Sequence, residues 1–210
     1  MNEGLLPLFP LELVLLPHAI VPLHIFEERY KQMIGECLRF DAEFGIVLAK
    51  DKGILRTGCA GAVTQVVERY EDGRMDILVE GRRRFHIVNI NTSREYLRAE
   101  VEYFTDTVDP KDDPALARRA LAAFLEFGRV SGAPQAPPAL DAPDLSFRLA
   151  HISPDLDFRQ FLLDLTSEHE RLSRTASHLE QITARRRVEN AMRRTARGNG
   201  HGRHLGNLIE

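Results

Sequence analysis

Prolines interrupt an apolar run in the first thirty positions, and this pattern predicts strands rather than a helix. The apolar run from Leu6 to Tyr30 contains Pro7, Pro10, Pro17 and Pro22. Proline lacks a backbone donor and clashes inside a helix, whereas strand ends, edges and bulges accept it. The sequence therefore predicts short strands near Leu13–Leu16 and Ala19–Leu23.

The next segment has the spacing of an amphipathic helix. Its apolar positions are Phe26, Tyr30, Met33, Ile34, Cys37 and Leu38. Spacings of four, seven and eight residues place these side chains on one face of a helix. Glu27 and Glu28 fall in the first turn, where the helix dipole favours negative charge. We predict that the apolar face, including Phe26, packs on the core.

Strand-like runs follow until about residue 104. They are Phe44–Ala49, Ala62–Tyr70, Met75–Val79, Arg82–Ile90 and Tyr96–Phe104. Asp72-Gly73 separates two of these runs, and this dipeptide between strands indicates a hairpin. About six short strands with one early helix predict a small, partly closed β-barrel.

The pattern becomes helical after Asp109. Asp112 or Asp113 can cap a first helix, with Pro114 in its first turn and Gly128 as its stop. A short helix over Asp144–His151 follows a loop rich in proline and alanine.

Two further helix starts are visible. Ser153-Pro154 combines a cap with a first-turn proline, and Ser167 with Glu170 has the form of a capping box. The last signal introduces a long helix whose apolar stripe ends near Arg185, before a tail (198–204) that the composition predicts to be frayed. We predict an α+β fold with a β-barrel subdomain over 1–105, a helical subdomain over 110–190 and a flexible basic tail over 191–210.

Composition and charge narrow the functional classes. The net charge of the 210 residues is −3, so no global basic field indicates nucleic acid. The chain has no run of about 18 apolar residues, so no membrane-spanning helix is predicted. The first residues do not resemble an export signal, and we expect a soluble cytoplasmic protein.

The chain has no recognisable catalytic or metal-binding motif. It contains no Gly-Lys-Ser/Thr phosphate loop, no His-Glu-x-x-His and no Gly-x-Ser-x-Gly. We therefore predict no catalytic residues, no bound metal and no cofactor. Cys59 with His86 is the one pair that a hydrolase with an unrecognised site would use, although a buried thiol is inert.

Two arginine-rich stretches keep a nucleic-acid alternative open. Arg82–Arg84 begin a strand, where alternation places Arg82 and Arg84 on one face, and Arg185–Arg197 lie near the C-terminus. Solvated side chains paired with nearby acids are the favoured explanation of both stretches. The lack of stacking aromatic residues argues against RNA binding.

Four motifs follow one another along the chain: LPLFPLELVLLPHAIVPLHIFEERYKQM, FGIVLAKDKGILRTGCAGAV, EDGRMDILVEGRRRFHI and YLRAEV. In this order they resemble the N-terminal substrate-binding domain of the Lon protease family. The resemblance covers about residues 5–104 and continues more weakly through LSFRLAHISPDLDFRQFLLDLTSEHERL. It implies a PUA-like barrel followed by a helical half, in agreement with the strand pattern.

The resemblance also implies a function. In Lon enzymes this domain precedes an AAA+ motor and a Ser-Lys protease domain, neither of which this sequence contains. It implies a non-enzymatic module, bacterial and concerned with protein quality control. Such a module would bind unfolded or degron-bearing polypeptides, or a protein partner, for another enzyme to degrade. The positions that match family substrate contacts are Glu28, Arg29 and Gln32, although Arg29 can equally pair with a nearby acid and orient the helix.

Overall fold

The chain forms a mixed sheet followed by a group of helices. The computed structural model describes residues 4–51, 53–107 and 113–198. Within these ranges the strands are β1 (Leu6–Leu11), β2 (Ile20–Ile25), β3 (Phe44–Lys50), β4 (Gly53–Arg69), β5 (Met75–Asn91) and β6 (Arg98–Tyr103). The helices are α1 (Glu28–Phe40), α2 (Pro114–Ser131), α3 (Leu145–Ala150), α4 (Leu156–Asp164) and α5 (Glu168–Gly198).

The six strands curl into a partly closed barrel. Their order is β2-β5-β4-β3-β1-β6, and β6 also pairs with β5. The first half of β5 pairs with β2 and its second half with β6. The predicted α+β class and partly closed barrel are confirmed.

The first strand lies earlier than the sequence predicts. β1 pairs in parallel with β3 and antiparallel with β6, and the amide of Leu8 donates to the carbonyl of Leu97 over 2.8 Å. The strand predicted near Leu13–Leu16 is wrong, although Val14–Leu16 are buried in the core. Strong hydrophobicity in this segment therefore indicates burial without a strand.

The early helix forms as predicted, with one correction. α1 begins at Glu28 and buries Tyr30, Met33, Ile34 and Cys37. Phe26 does not join that face, because it lies in the extended link before the helix and is 60% exposed. The prediction that Phe26 packs on the core is wrong.

A single long strand replaces two predicted ones. β5 runs through Gly81, so Met75–Val79 and the arginine-rich run belong to one element. Arg83 pairs with Ala60 and Gly81 with Gly61, which leaves Arg82 as the extra residue of a bulge. The bulge breaks the alternation, so Arg82 is exposed while Arg84 is buried.

The helix boundaries agree with the cap signals in part. Asp113 caps α2 by accepting from the amides of Ala115 and Leu116 at 3.0 Å. Gly128 is not the stop, because α2 continues to Ser131 and ends at Gly132, whose φ is 75°.

The later caps show the same partial agreement. Asp155 rather than Ser153 caps α4 by accepting from the amide of Phe158, and Ser167 accepts from the amide of Glu170 as predicted. The helix α5 extends through residue 198, past the predicted start of the tail, and residues 199–210 lie outside the described part.

The two halves share a hydrophobic core. The largest buried cluster combines barrel residues such as Met33 and Ile77 with Phe147 from α3 and Leu162 from α4. A second cluster joins α2, α3 and α5. α3 therefore packs on both sides and connects the barrel to the remaining helices. None of the helices in the described ranges is long and apolar enough to cross a membrane.

Candidate functional site

The first turns of α1 expose the three residues that the sequence singles out. Glu28 and Gln32 lie four residues apart and Arg29 lies three before Gln32, so they share one helical face. All three are exposed, and the Glu28 side chain is 88% accessible. The structure thus brings the predicted residues together on one surface.

Each of these side chains has a local partner. Arg29 Nε donates to Glu27 over 2.9 Å, and the guanidinium carbon lies 4.6 Å from the centre of the Tyr30 ring. Gln32 donates to Glu36 over 3.0 Å. Exposed pairs of this kind contribute about 0–1 kcal/mol, so a bound chain can displace them at little cost.

Lys31 connects α1 to the barrel beside these residues. Its ammonium donates to the Glu28 carboxylate over 2.7 Å and to the carbonyl of Asp72 over 2.8 Å. Asp72 belongs to the turn between β4 and β5, as the Asp-Gly signal predicts. The start of α1 is therefore held against a hairpin turn.

Exposed side chains continue from this helical face along β2. Ile20 and Phe26 are each 60% exposed, and Pro22 and His24 between them are also exposed. The Phe26 ring stacks beside His24 with centroids 5.9 Å apart. We call this region the β2–α1 surface, and it consists of Ile20, Pro22, His24, Phe26, Glu28, Arg29 and Gln32.

A chain of hydrogen bonds fixes negative charge next to this surface. His24 Nδ1 lies 2.6 Å from Asp76, and the Tyr70 hydroxyl lies 2.7 Å from Asp76 and 3.1 Å from Glu68. The bond with His24, and then that with Tyr70, lower the pKa of Asp76. The bond to Asp76 in turn raises the pKa of Tyr70 to about 12. The Asp76 carboxylate is therefore charged at neutral pH.

A second ionic cluster lies buried where the barrel meets the helices. Arg84 on β5 donates to Asp106 and to the carbonyls of Leu163 and Leu165. Arg171 on α5 is 0% exposed and also donates to Asp106. Sequence reasoning treated Arg84 as solvated and did not identify Arg171 or Asp106.

The same cluster gathers three carboxylates without forming a cation site. Oxygens of Asp106, Asp144 and Glu168 lie within 4.8 Å of one another. Arg171 lies among them, 2.7 Å from Glu168 and 3.8 Å from Asp144. Its guanidinium provides the positive charge, so these residues form a structural ion network.

Several described arginines of the predicted nucleic-acid patches pair with acids. Arg83 pairs with Glu43 and also lies over the Tyr103 ring at 4.0 Å. Arg187 pairs with Glu126, whose pKa falls to about 2 because of the bonds from Arg129 and Arg187. This pairing favours the solvated-face interpretation of both stretches.

The Cys59–His86 pair is not assembled. Burial raises the pKa of Cys59 to about 12, so its thiol is protonated and unreactive. His86 lies on the exposed side of β5, with its Nδ1 3.0 Å from Thr57 Oγ1. This geometry does not support a nucleophile and its base.

Comparison with known proteins places the chain in a family. The model of the ATP-dependent protease La (LON) substrate-binding domain matches residues 5–181. The Lon protease of Escherichia coli strain K12 is 23% identical over 209 residues, which cover 90% of this chain and 27% of that protein. The Lon protease of Brucella suis biovar 1 is 27% identical, over 91% of this chain and 26% of that protein. The chain thus spans about a quarter of the length of these curated relatives.

Solved structures agree with this comparison. The crystal structure of a Lon N-terminal domain protein from Xanthomonas campestris has a TM-score of 0.65 and 27% identity, covering 83% of this chain and 98% of that one. The N-terminal domain of the Mycobacterium avium complex Lon protease gives the same TM-score at 17% identity, which shows a shared fold. Together with the match over residues 5–181, these likenesses show that the chain belongs to the Lon substrate-binding domain family.

Proposed function

We propose that this chain is a non-catalytic module that binds unfolded or degron-bearing polypeptides through the β2–α1 surface. Membership of a substrate-binding domain family supports the binding of polypeptides. The observation that supports this location is the exposure of Phe26, directly before the charged first turn of α1, and of Ile20 farther along β2. Glu28, Arg29 and Gln32 are the polar contacts of the proposed site.

The chemistry of this surface suits weak and permissive binding. Unfolded chains expose apolar side chains that folded proteins bury, and Ile20, Pro22 and Phe26 offer apolar area to them. The displaceable pairs of Arg29 and Glu28 supply hydrogen bonds to a backbone of any sequence. We expect micromolar dissociation constants and little sequence preference.

The module would work with a separate protease. The 210 residues contain no phosphate-binding Gly-Lys-Ser/Thr motif, so the proposal assigns ATP-driven unfolding to a motor outside these residues. We propose that the chain presents bound polypeptides to such an enzyme in the cytoplasm. Addition of the chain to its host's ATP-dependent protease should change the rate at which that protease degrades unfolded substrates.

A titration with a denatured protein tests the binding step. Fluorescently labelled, reduced and carboxymethylated casein is titrated with the chain and followed by anisotropy. Substitution of Ile20→Ser with Phe26→Ser should weaken binding about tenfold or more, since it removes two apolar contacts. The matched control is Val88→Ser with Ile90→Ser, which changes two exposed apolar residues outside the β2–α1 surface, on β5.

Two outcomes would contradict the proposal. One is the absence of casein binding even at high protein concentration. The other is an equal loss in the β2–α1 variant and the control, which would place binding elsewhere. Tighter binding to short single-stranded RNA than to casein at physiological salt would favour the nucleic-acid alternative.

A further inference from the structure

The strand β2 leaves one side of its backbone free of ladder bonds. In the described part of the chain it pairs only with β5, in antiparallel register with Ile20 opposite Glu80 and His24 opposite Asp76. Just before the strand, the carbonyl of Ala19 accepts from the amide of Gly81 over 2.9 Å. Because antiparallel bonding alternates, Val21, Leu23 and Ile25 bond to β5, and Ile20, Pro22 and His24 turn their backbone groups away.

The position of Pro22 agrees with this alternation. Proline has no amide hydrogen, so it fits only among residues that do not donate to the neighbouring strand. The outer edge therefore offers the amides of Ile20 and His24 and the carbonyls of all three residues. Among the described residues, no hydrogen bond from another element reaches these groups.

The side chains around this edge indicate which partner fits it. Val21 and Leu23 are half-buried on one face of β2, and Ile20 is exposed on the other. An added strand would therefore meet apolar side chains on both faces. Residues 75–80 of β5 pair with β2, and residues 65–69 of β4 pair with β5 on its other side. These two segments contain three acidic residues, Glu68, Asp76 and Glu80, and one basic residue, Arg69. This balance favours a partner with positive charge.

We propose that β2 binds its partner by strand addition, with an extended, cationic polypeptide segment rich in aliphatic residues pairing along the edge formed by Ile20, Pro22 and His24. The proposal rests on the proposed function and specifies its mode. Backbone hydrogen bonds supply affinity for any sequence, and the flanking side chains supply the preference. Pro22 removes the central donor, which limits pairing between two copies of this chain.

Proline substitutions on the edge test the hydrogen bonds. Ile20→Pro with His24→Pro removes the two outward donors and no backbone bond to β5, although the side-chain bond between His24 and Asp76 is lost. The matched control, Ile20→Thr with His24→Thr, loses the same side chains but retains both amides. We expect the proline variant to bind the cationic peptide acetyl-Lys-Val-Thr-Val-Lys-Val-Thr-Val-Lys-amide about tenfold more weakly than the threonine variant. Equal affinities of the two folded variants would overturn strand addition.

Backbone-methylated peptides repeat the test without changing the protein. The probe is acetyl-Lys-Val-Thr-Val-Lys-Val-Thr-Val-Lys-amide, made unmodified, with N-methyl groups on the valines, and with N-methyl groups on the threonines and internal lysine. In an added strand only alternate amides face β2, so one methylated set should lose about tenfold or more in affinity and the other much less. Equal effects of the two sets would overturn the proposal.

The outcomes separate the two proposals. Suppose that the wild-type chain binds casein, but that the proline and threonine variants bind equally well and the two methylated peptides also bind equally well. The chain then binds polypeptide by side-chain contacts, and strand addition is wrong. If the wild-type chain does not bind casein, the proposed function itself fails. A third outcome is that the wild-type chain forms dimers, the proline variant does not, and the peptide does not bind. This outcome would identify a second copy as the occupant and overturn strand addition of a cationic segment.

Discussion

The ionic cluster at the barrel–helix junction and the ion pairs at the start of α1 use the same chemistry in opposite surroundings. Both join arginine to carboxylates. The side chain of Arg171 is 0% exposed, whereas that of Arg29 is 47% exposed. Arg171 bonds Asp106, Glu168, Ser146 and the carbonyl of Leu165. Arg29 has the Glu27 carboxylate and the Tyr30 ring.

This difference separates a structural role from the proposed binding role. A buried guanidinium must have its donors satisfied, so its partners cannot leave without a large cost. An exposed guanidinium exchanges partners with water or with a ligand at nearly no cost. Charged residues at the junction therefore hold the two halves together, and those at the start of α1 are available for recognition.

The largest expected effect is the loss of Arg171. Arg171→Ala removes the cation that faces Asp106 and Glu168. Asp106 retains Arg84 but Glu168 loses its arginine, and breaking a buried ion pair costs about 3–5 kcal/mol. The free energy of unfolding from urea titration measures this loss. Arg174→Ala on the same helix is the control, since Arg174 pairs with Glu170 at the surface and should change stability by about 0.5 kcal/mol or less. Similar losses in the two variants would contradict the structural role of the junction.

Two aromatic residues at the start of α1 sharpen the comparison. Tyr30 is buried with its ring centroid 4.1 Å from that of Phe9, whereas Phe26 is exposed. Tyr30→Ala should destabilise the protein by about 3 kcal/mol, as truncation of a buried aromatic does. Phe26→Ala should cost about 0.5 kcal/mol or less. A reversed order in thermal unfolding would mean that Phe26 belongs to the core.

The pH dependence of stability gives a smaller effect. His178 stacks on Phe158 at 3.7 Å and lies 2.9 Å from Ser153 Oγ, and burial lowers its pKa. The unfolded chain then binds a proton more readily than the folded one, so stability falls as pH drops below about 6.5. Because the side chain is half-exposed, we expect a loss of less than about 1 kcal/mol.

A variant separates this histidine from the other titrating groups. His178→Gln should flatten the stability curve between pH 7.5 and 5.5. It should not flatten it completely, since burial also lowers the pKa of His151. An unchanged slope in urea titrations at several pH values would show that His178 does not contribute.

Local signals in the sequence predict much of the fold. The Asp72-Gly73 turn, the apolar face of α1 and the Asp113 cap are short-range features, and the structure confirms them. The prediction for Phe26 is wrong because its spacing fits the helix although the chain is still extended at that point. Periodicity alone cannot place the first residue of a helix.

Long-range features of the fold cannot be predicted from such local patterns. Whether Arg84 is buried depends on the bulge at Arg82, and that bulge depends on the register between β4 and β5. Asp106 and Arg171 are 65 residues apart and meet only because the start of α5 lies beside the segment that follows β6. The sequence predicts residues Glu28, Arg29 and Gln32 from a resemblance alone, and the free edge of β2 appears only with the sheet order.

The smallest expected effect on stability accompanies a measurable effect on binding. Glu28→Ala with Arg29→Ala removes exposed pairs, so the free energy of unfolding should change by about 0.5 kcal/mol or less. If the β2–α1 surface binds polypeptide, the same variant should bind carboxymethylated casein several-fold more weakly. Arg119→Ala with Glu180→Ala removes another exposed pair, between α2 and α5, and should leave binding unchanged. Retained casein binding together with a marked fall in melting temperature would show that Glu28 and Arg29 hold the start of α1 in place, and the site would then lie elsewhere.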